Sequence, residues 1–110
     1  MNEKIKHPYK NKSVDLTNFM ARFYPNRQNR IMFMAHWDTR EIADLDPIKA
    51  NQIKPILGAN DGASGVAVLL TLAEILYALP LLNIGIDLLF VDGEDSQIPV
   101  IMGCFGVEDN

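Results

Sequence analysis

Three blocks dominate the distribution of apolar residues along the chain. Residues 31–35, Ile-Met-Phe-Met-Ala, form a short uninterrupted apolar run, the pattern of a strand covered on both faces. Over residues 63–79, Val66, Leu69, Leu70, Ala73, Leu76 and Tyr77 recur at helical spacing. The predicted helix is apolar almost all round, so it is expected to lie buried against a sheet. Ser64 or Asp61 stands where a side chain would cap its start, and Pro80 ends it. Residues 84–91 (IGIDLLFV) are again nearly continuous in apolar residues and predict a second buried strand. Strand, helix and strand in this order predict a right-handed crossover joining a parallel pair.

The flanking segments are patterned differently. Residues 14–23 alternate roughly between apolar and polar, as a half-buried strand does. The turn cluster Tyr24-Pro25-Asn26-Arg27-Gln28-Asn29 follows, which predicts an antiparallel hairpin with the 31–35 strand. Residues 37–60 have no clear period and read as a long loop of the kind often tied to function. Residues 1–12 are polar and expected to be loose, and residues 96–110 carry no assignable pattern. The fold class expected is α/β: a mixed, partly parallel sheet with a flanking helix, in one domain over residues 13–95.

Composition narrows the partners. With 48% hydrophobic and 22% charged residues among 110, the chain has the balance of one globular domain. Charge is unevenly spread: residues 1–30 hold seven Lys or Arg against two acidic residues, and residues 31–110 hold three against twelve. The acidic part carries the motifs, which argues against nucleic acid as its partner. A single cysteine, Cys104, excludes an internal disulfide. The longest apolar run is broken by Glu74 and Pro80, so no membrane span is expected.

Candidate chemistry gathers where an open α/β sheet binds ligands, beyond the carboxyl ends of its strands. His36 and Asp38 follow the first apolar strand, Asp61 sits in GANDGASG just before the helix, and Asp92, Glu94 and Asp95 follow the last strand. An imidazole and several carboxylates converging on one mouth make a cation site, with a donor mix that suits zinc and also admits manganese or cobalt. Each piece has an ordinary alternative. His36 alone reads as a hydrogen-bonded histidine, Asp61 alone as a helix cap, and Asp-Gly-Glu-Asp as a polar turn. GANDGASG lacks the Gly-Lys-Ser/Thr ending of a phosphate loop, and Asp44 and Asp46 lack the later Gly and Glu of a calcium loop.

Taken together, AHWDTREIAD, PILGANDGASGVAVLLTLAEIL and IDLLFVDGED closely resemble the zinc-dependent aminopeptidase family that includes the glutaminyl cyclases, and most of all its bacterial glutaminyl-peptide cyclotransferase branch. The resemblance covers residues 14–95. It implies zinc as cofactor, a zinc-exopeptidase-like three-layer fold and a peptide substrate with a free N-terminus. It further implies Glu94 as general base, Asp61 and Asp95 as metal ligands, His36 as the ligand of a second zinc in two-metal peptidases, and Asp38 as a carboxylate orienting His36 or the metal water.

The departures from the family's pattern set a further expectation. Family members are usually much longer and carry a further Asp and a further His after the acidic pair. After Asp95 this sequence has no His, and its acidic residues there are Glu108 and Asp109. The chain therefore reads as the front and middle of a larger enzyme, inactive alone, with uncovered sheet edges that favour self-association. No export signal is visible at its start, and the compartment is not indicated.

Overall fold

The computed structural model describes residues 2–6, 13–79 and 82–95. Its strands are β1 (Asn2–Lys6), β2 (Ser13–Thr17), β3 (Phe19–Phe23), β4 (Arg30–His36) and β5 (Gly85–Val91). The helix α1 (Ala63–Ala78) lies between β4 and β5, and a single 3-10 turn, Lys49–Asn51, interrupts the long loop before it. β1 and β2 form an antiparallel pair, so part of the opening segment expected to be loose is a strand. The other three strands form a mixed sheet in the order β3–β5–β4.

β5 pairs with β4 in parallel, from Arg30↔Gly85 to His36↔Val91, as the strand–helix–strand pattern predicts. It pairs with β3 antiparallel, from Phe19↔Phe90 to Phe23↔Ile86. The expected β3–β4 hairpin does not form, because β5 is inserted between the two strands. Residues 24–29 are long enough to span the two strand spacings, about 10 Å, that this order requires. The insertion also gives the most apolar strand a partner on each side, and its residues Ile86, Leu88 and Leu89 are buried. The strand expected over residues 14–23 is likewise divided at Asn18, whose side-chain oxygen accepts a hydrogen bond from the Asp92 amide (2.8 Å).

One buried charge stands inside the sheet. Asp87, in the middle of β5, has a side chain only 9% exposed. Its carboxylate accepts from Arg30 Nη2 (2.7 Å) and Nε (2.9 Å), a two-pronged contact, and from Arg22 Nε (3.1 Å). Arg30 also donates to the carbonyls of Phe23 and Tyr24, which locks the turn between β3 and β4. The Arg30 hydrogen bond outweighs burial and holds the Asp87 carboxyl below the usual carboxylate range. A reading of residues 84–91 as an apolar run gives no hint of this cluster.

The helix packs on one face of β5. Leu69 and Leu76 of α1 pack with Ile86 and Leu88 of β5. Alternation along β5 turns Asp87 and Leu89 to the opposite face. β4 was expected to be covered on both faces, yet Ile31, Met32, Phe33 and Met34 are 42–58% exposed. It is the terminal strand of the sheet, paired on one side only among the described residues. The helix differs from expectation in the same way: Val68, Leu70, Ile75 and Tyr77 are exposed. An apolar groove of about 460 Å³ is lined by Phe33 of β4 and by Val68, Leu72 and Ile75 of α1 among others.

Candidate active site

Parallel pairing of β4 and β5 places their carboxyl ends side by side, His36 opposite Val91, and the ladder continues one residue further through the Trp37 amide to the Val91 carbonyl (2.9 Å). The Trp37 indole N–H donates to the Thr17 carbonyl (2.9 Å), and the Thr17 amide donates to the Asp92 carboxylate (3.0 Å). Asp92 is therefore occupied in joining β5 to the β2–β3 junction, and the first carboxylate of VDGED is structural.

The helix start approaches the same end. Its N-cap is Gly62, at φ +98°, and no side chain caps it. The two expected capping residues are engaged elsewhere: the Ser64 hydroxyl donates to the Asn60 carbonyl, and Asp61 faces His36. Gly62 fits here for two reasons. Side chains rarely adopt its backbone angle, and a Cβ there would come within 2.9 Å of the Asp38 carbonyl oxygen and 3.4 Å of the His36 ring.

His36 is the centre of the cluster. Its Nδ1 lies 3.0 Å from the Asp38 carbonyl oxygen and its Nε2 lies 3.0 Å from Asp61 Oδ1. Glu94 Oε2 is 3.8 Å from Nδ1. An Nδ1–H donated to the carbonyl would leave a neutral ring presenting a lone pair to a carboxylate oxygen. The geometry thus calls for positive charge, either a second ring proton or a cation. Burial opposes protonation of His36, but the Asp61 hydrogen bond, the Asp38 carbonyl and the charges of Glu94 and Asp38 together raise its pKa above the ordinary value.

Asp38 fixes the acidic turn. Its two carboxylate oxygens accept from the amides of Glu94 (3.2 Å) and Asp95 (3.0 Å), and one lies 3.5 Å from His36 Nδ1. This leaves the Glu94 side chain projecting from a held backbone, 62% exposed. Asp95 points elsewhere. Its carboxylate accepts from the Arg40 amide (3.1 Å) and from Arg40 Nη2 (3.2 Å), while Arg40 Nη1 reaches Asp44 (3.2 Å). Arg40 was not singled out in the sequence. Its spacing of four residues from Asp44 was visible there, but its pairing with Asp95 spans 55 residues and leaves no local signal.

His36, Asp38, Asp61, Glu94 and Asp95 thus share one end of the sheet. Asp61 and Glu94 flank His36, and Asp95 is turned to Arg40. The donors present do not fit a zinc site unaided. Among the described residues no three His, Cys, Asp or Glu side chains are arranged to hold a metal ion. One His–Asp pair is in contact, its Asp61 side chain exposed, and the carboxylate that would be the next donor is bound by a guanidinium.

Comparison with known proteins identifies the family of the chain. The model for peptidase family M28 matches residues 18–108. The chain is similar to the crystal structure of Porphyromonas gingivalis glutaminyl cyclase, with 38% identity and a TM-score of 0.81 over 87% of this chain and 33% of that one. It is similar to Bacteroides thetaiotaomicron glutaminyl cyclase bound to N-acetylhistamine, with 39% identity and a TM-score of 0.74 over 92% and 35% of the two chains. A Zn-dependent exopeptidase from Parabacteroides distasonis matches with 35% identity and a TM-score of 0.74, again over 92% and 35%. The chain therefore spans about a third of the length of these structures. Among curated protein sequences none matches. On the family match over most of its length, the chain belongs to peptidase family M28.

Proposed function

We propose that these residues are the base-bearing part of a glutaminyl-peptide cyclotransferase-like centre, which converts an N-terminal glutamine to pyroglutamate with release of ammonia, and that the 110 residues alone do not turn over. The observation that carries this reading is the His36 cluster, with Asp61 and Glu94 on either side of one ring at the carboxyl end of a parallel pair. Similarity to solved glutaminyl cyclases and the His-Trp-Asp-Thr-Arg string support the cyclase branch.

Each residue has a share in the chemistry. Glu94 is exposed and held by its backbone, so its carboxylate is free to take a proton from an attacking α-amine and pass it to departing ammonia. Asp38 holds the Glu94 amide, and the His36 ring, hydrogen-bonded to Asp61, lies beside its carboxylate. In the family zinc supplies Lewis acidity. Here the donors that would hold it, Asp61 and Asp95 with His36, do not close a shell by themselves, so activity would require donors beyond the described residues. Similarity to a Zn-dependent exopeptidase supports a second reading, release of N-terminal residues, in which Glu94 takes the proton from attacking water.

A chimera tests the proposal. Residues 18–95 replace the matching segment of the Porphyromonas gingivalis enzyme, and ammonia release from a glutaminyl peptide is measured beside amine release from an aminoacyl substrate. We expect cyclisation, lost by a factor of about 10² or more in Glu94→Gln with zinc content unchanged. A zinc loss in Glu94→Gln matching that in Asp61→Ala would make Glu94 a ligand and overturn its role as base.

A further inference from the structure

The Asp95 carboxylate, expected to face a metal, is bound through both oxygens by the amide and the guanidinium of Arg40. The same guanidinium spans to Asp44 and is 25% exposed, so one largely covered positive charge bridges two carboxylates. The Nε of Arg40 is buried without a hydrogen-bond partner, so the side chain is held by its two acidic contacts rather than by a fully satisfied network. On the other side of the acidic turn, Asp38 fixes the Asp95 amide, so the backbone position does not depend on the guanidinium.

We propose that Arg40 is a built-in counter-cation: in this chain it takes the place a divalent metal would have at Asp95, and zinc reaches that carboxylate only by displacing it. The proposal rests on the reading of Asp95 as a donor in the centre described above. Its chemistry is direct competition. A carboxylate already paired with a guanidinium gains less from a metal ion, and the fixed charge of Arg40 repels the incoming cation. Removing that charge frees the Asp95 carboxylate at the end of the sheet that also carries Asp38 and His36.

Zinc titration by calorimetry on the purified chain tests this without any assay of turnover. In the unaltered chain, zinc binds weakly and Asp95→Asn leaves its affinity unchanged, because Asp95 does not contribute. Arg40→Gln keeps a polar donor but drops the charge, and Arg40→Ala removes both. Each is expected to bind zinc at least ten times more tightly, and the gain disappears when Asp95→Asn is added. Circular dichroism confirms that each variant is folded, and Arg40→Gln decides the matter if Arg40→Ala is not. Unchanged affinity in Arg40→Gln, or loss of zinc from the unaltered chain on Asp95→Asn, would overturn the proposal. An inactive chimera would count against the cyclase reading but would leave these binding results unaffected.

Discussion

Asp87 shows how much a single residue can determine. It is a buried carboxylate in the central strand, and its cost of burial is offset by the two-pronged contact with Arg30 and a third bond from Arg22. Asp87→Ala is expected to destabilise the chain by about 3 kcal/mol, since it leaves the Arg30 charge without its carboxylate partner. Urea denaturation followed by circular dichroism measures this, and a loss below about 1 kcal/mol would place the contact among ordinary surface pairs. The pH dependence has a definite sign. The Asp87 carboxyl is lowered in the fold, so its contribution is complete above the unfolded value of 3.8 and is lost as pH falls through the lower, folded value. In Asp87→Asn this acid-side slope should shrink. None of these contacts was legible in the sequence, because Asp87 is joined to Arg22 and Arg30 across 57 or more residues, and the three stand in an alternating segment, at the junction of a turn and a strand, and in an apolar run.

At the level of elements, continuity of apolar residues was informative and partnership was not. Residues 31–35, 63–79 and 84–91 become β4, α1 and β5 with ends shifted by about one residue, because Pro, Gly and charged residues bound each run. Parallel pairing followed from their order. What the pattern does not encode is that β5 enters between β3 and β4, since pairing is decided by competition between distant strands for the most apolar neighbour. The site was legible to the same degree. His36, Asp38, Asp61 and Glu94 could be placed at one mouth by topology, whereas the turning of Asp95 to Arg40 depends on side-chain geometry. Gly62 links the helix to that mouth. Gly62→Ala is expected to cost about 1–2 kcal/mol from its positive φ and to displace the Asp38 carbonyl or the His36 ring. Nuclear magnetic resonance of the His36 ring would detect the second effect, and an unchanged ring environment together with unchanged stability would contradict the tight approach.

Across the whole molecule, the exposed apolar residues of β4 and of α1 stand out beside a small core. Ile31 to Met34 lie on a terminal strand without a charged residue among them, the kind of edge that pairs with another chain. We expect concentration-dependent self-association of the purified chain in sedimentation experiments, reduced by Met34→Lys, which sets a charge on that edge. A monomer at all concentrations would mean that this face is covered by residues outside those described. Among the described residues no helix is long and apolar enough to cross a membrane.

The central claim is that the chain carries the base and part of the donor set of an M28-type centre and that these do not suffice for turnover. The most direct measurement is ammonia release from an N-terminal glutaminyl peptide by the purified 110-residue chain with added zinc, with Glu94→Gln assayed in parallel. The account predicts no release above the rate without protein in either sample. Robust release by the unaltered chain, abolished in Glu94→Gln, would contradict it and would mean that a complete centre forms from these residues or from a second copy of them.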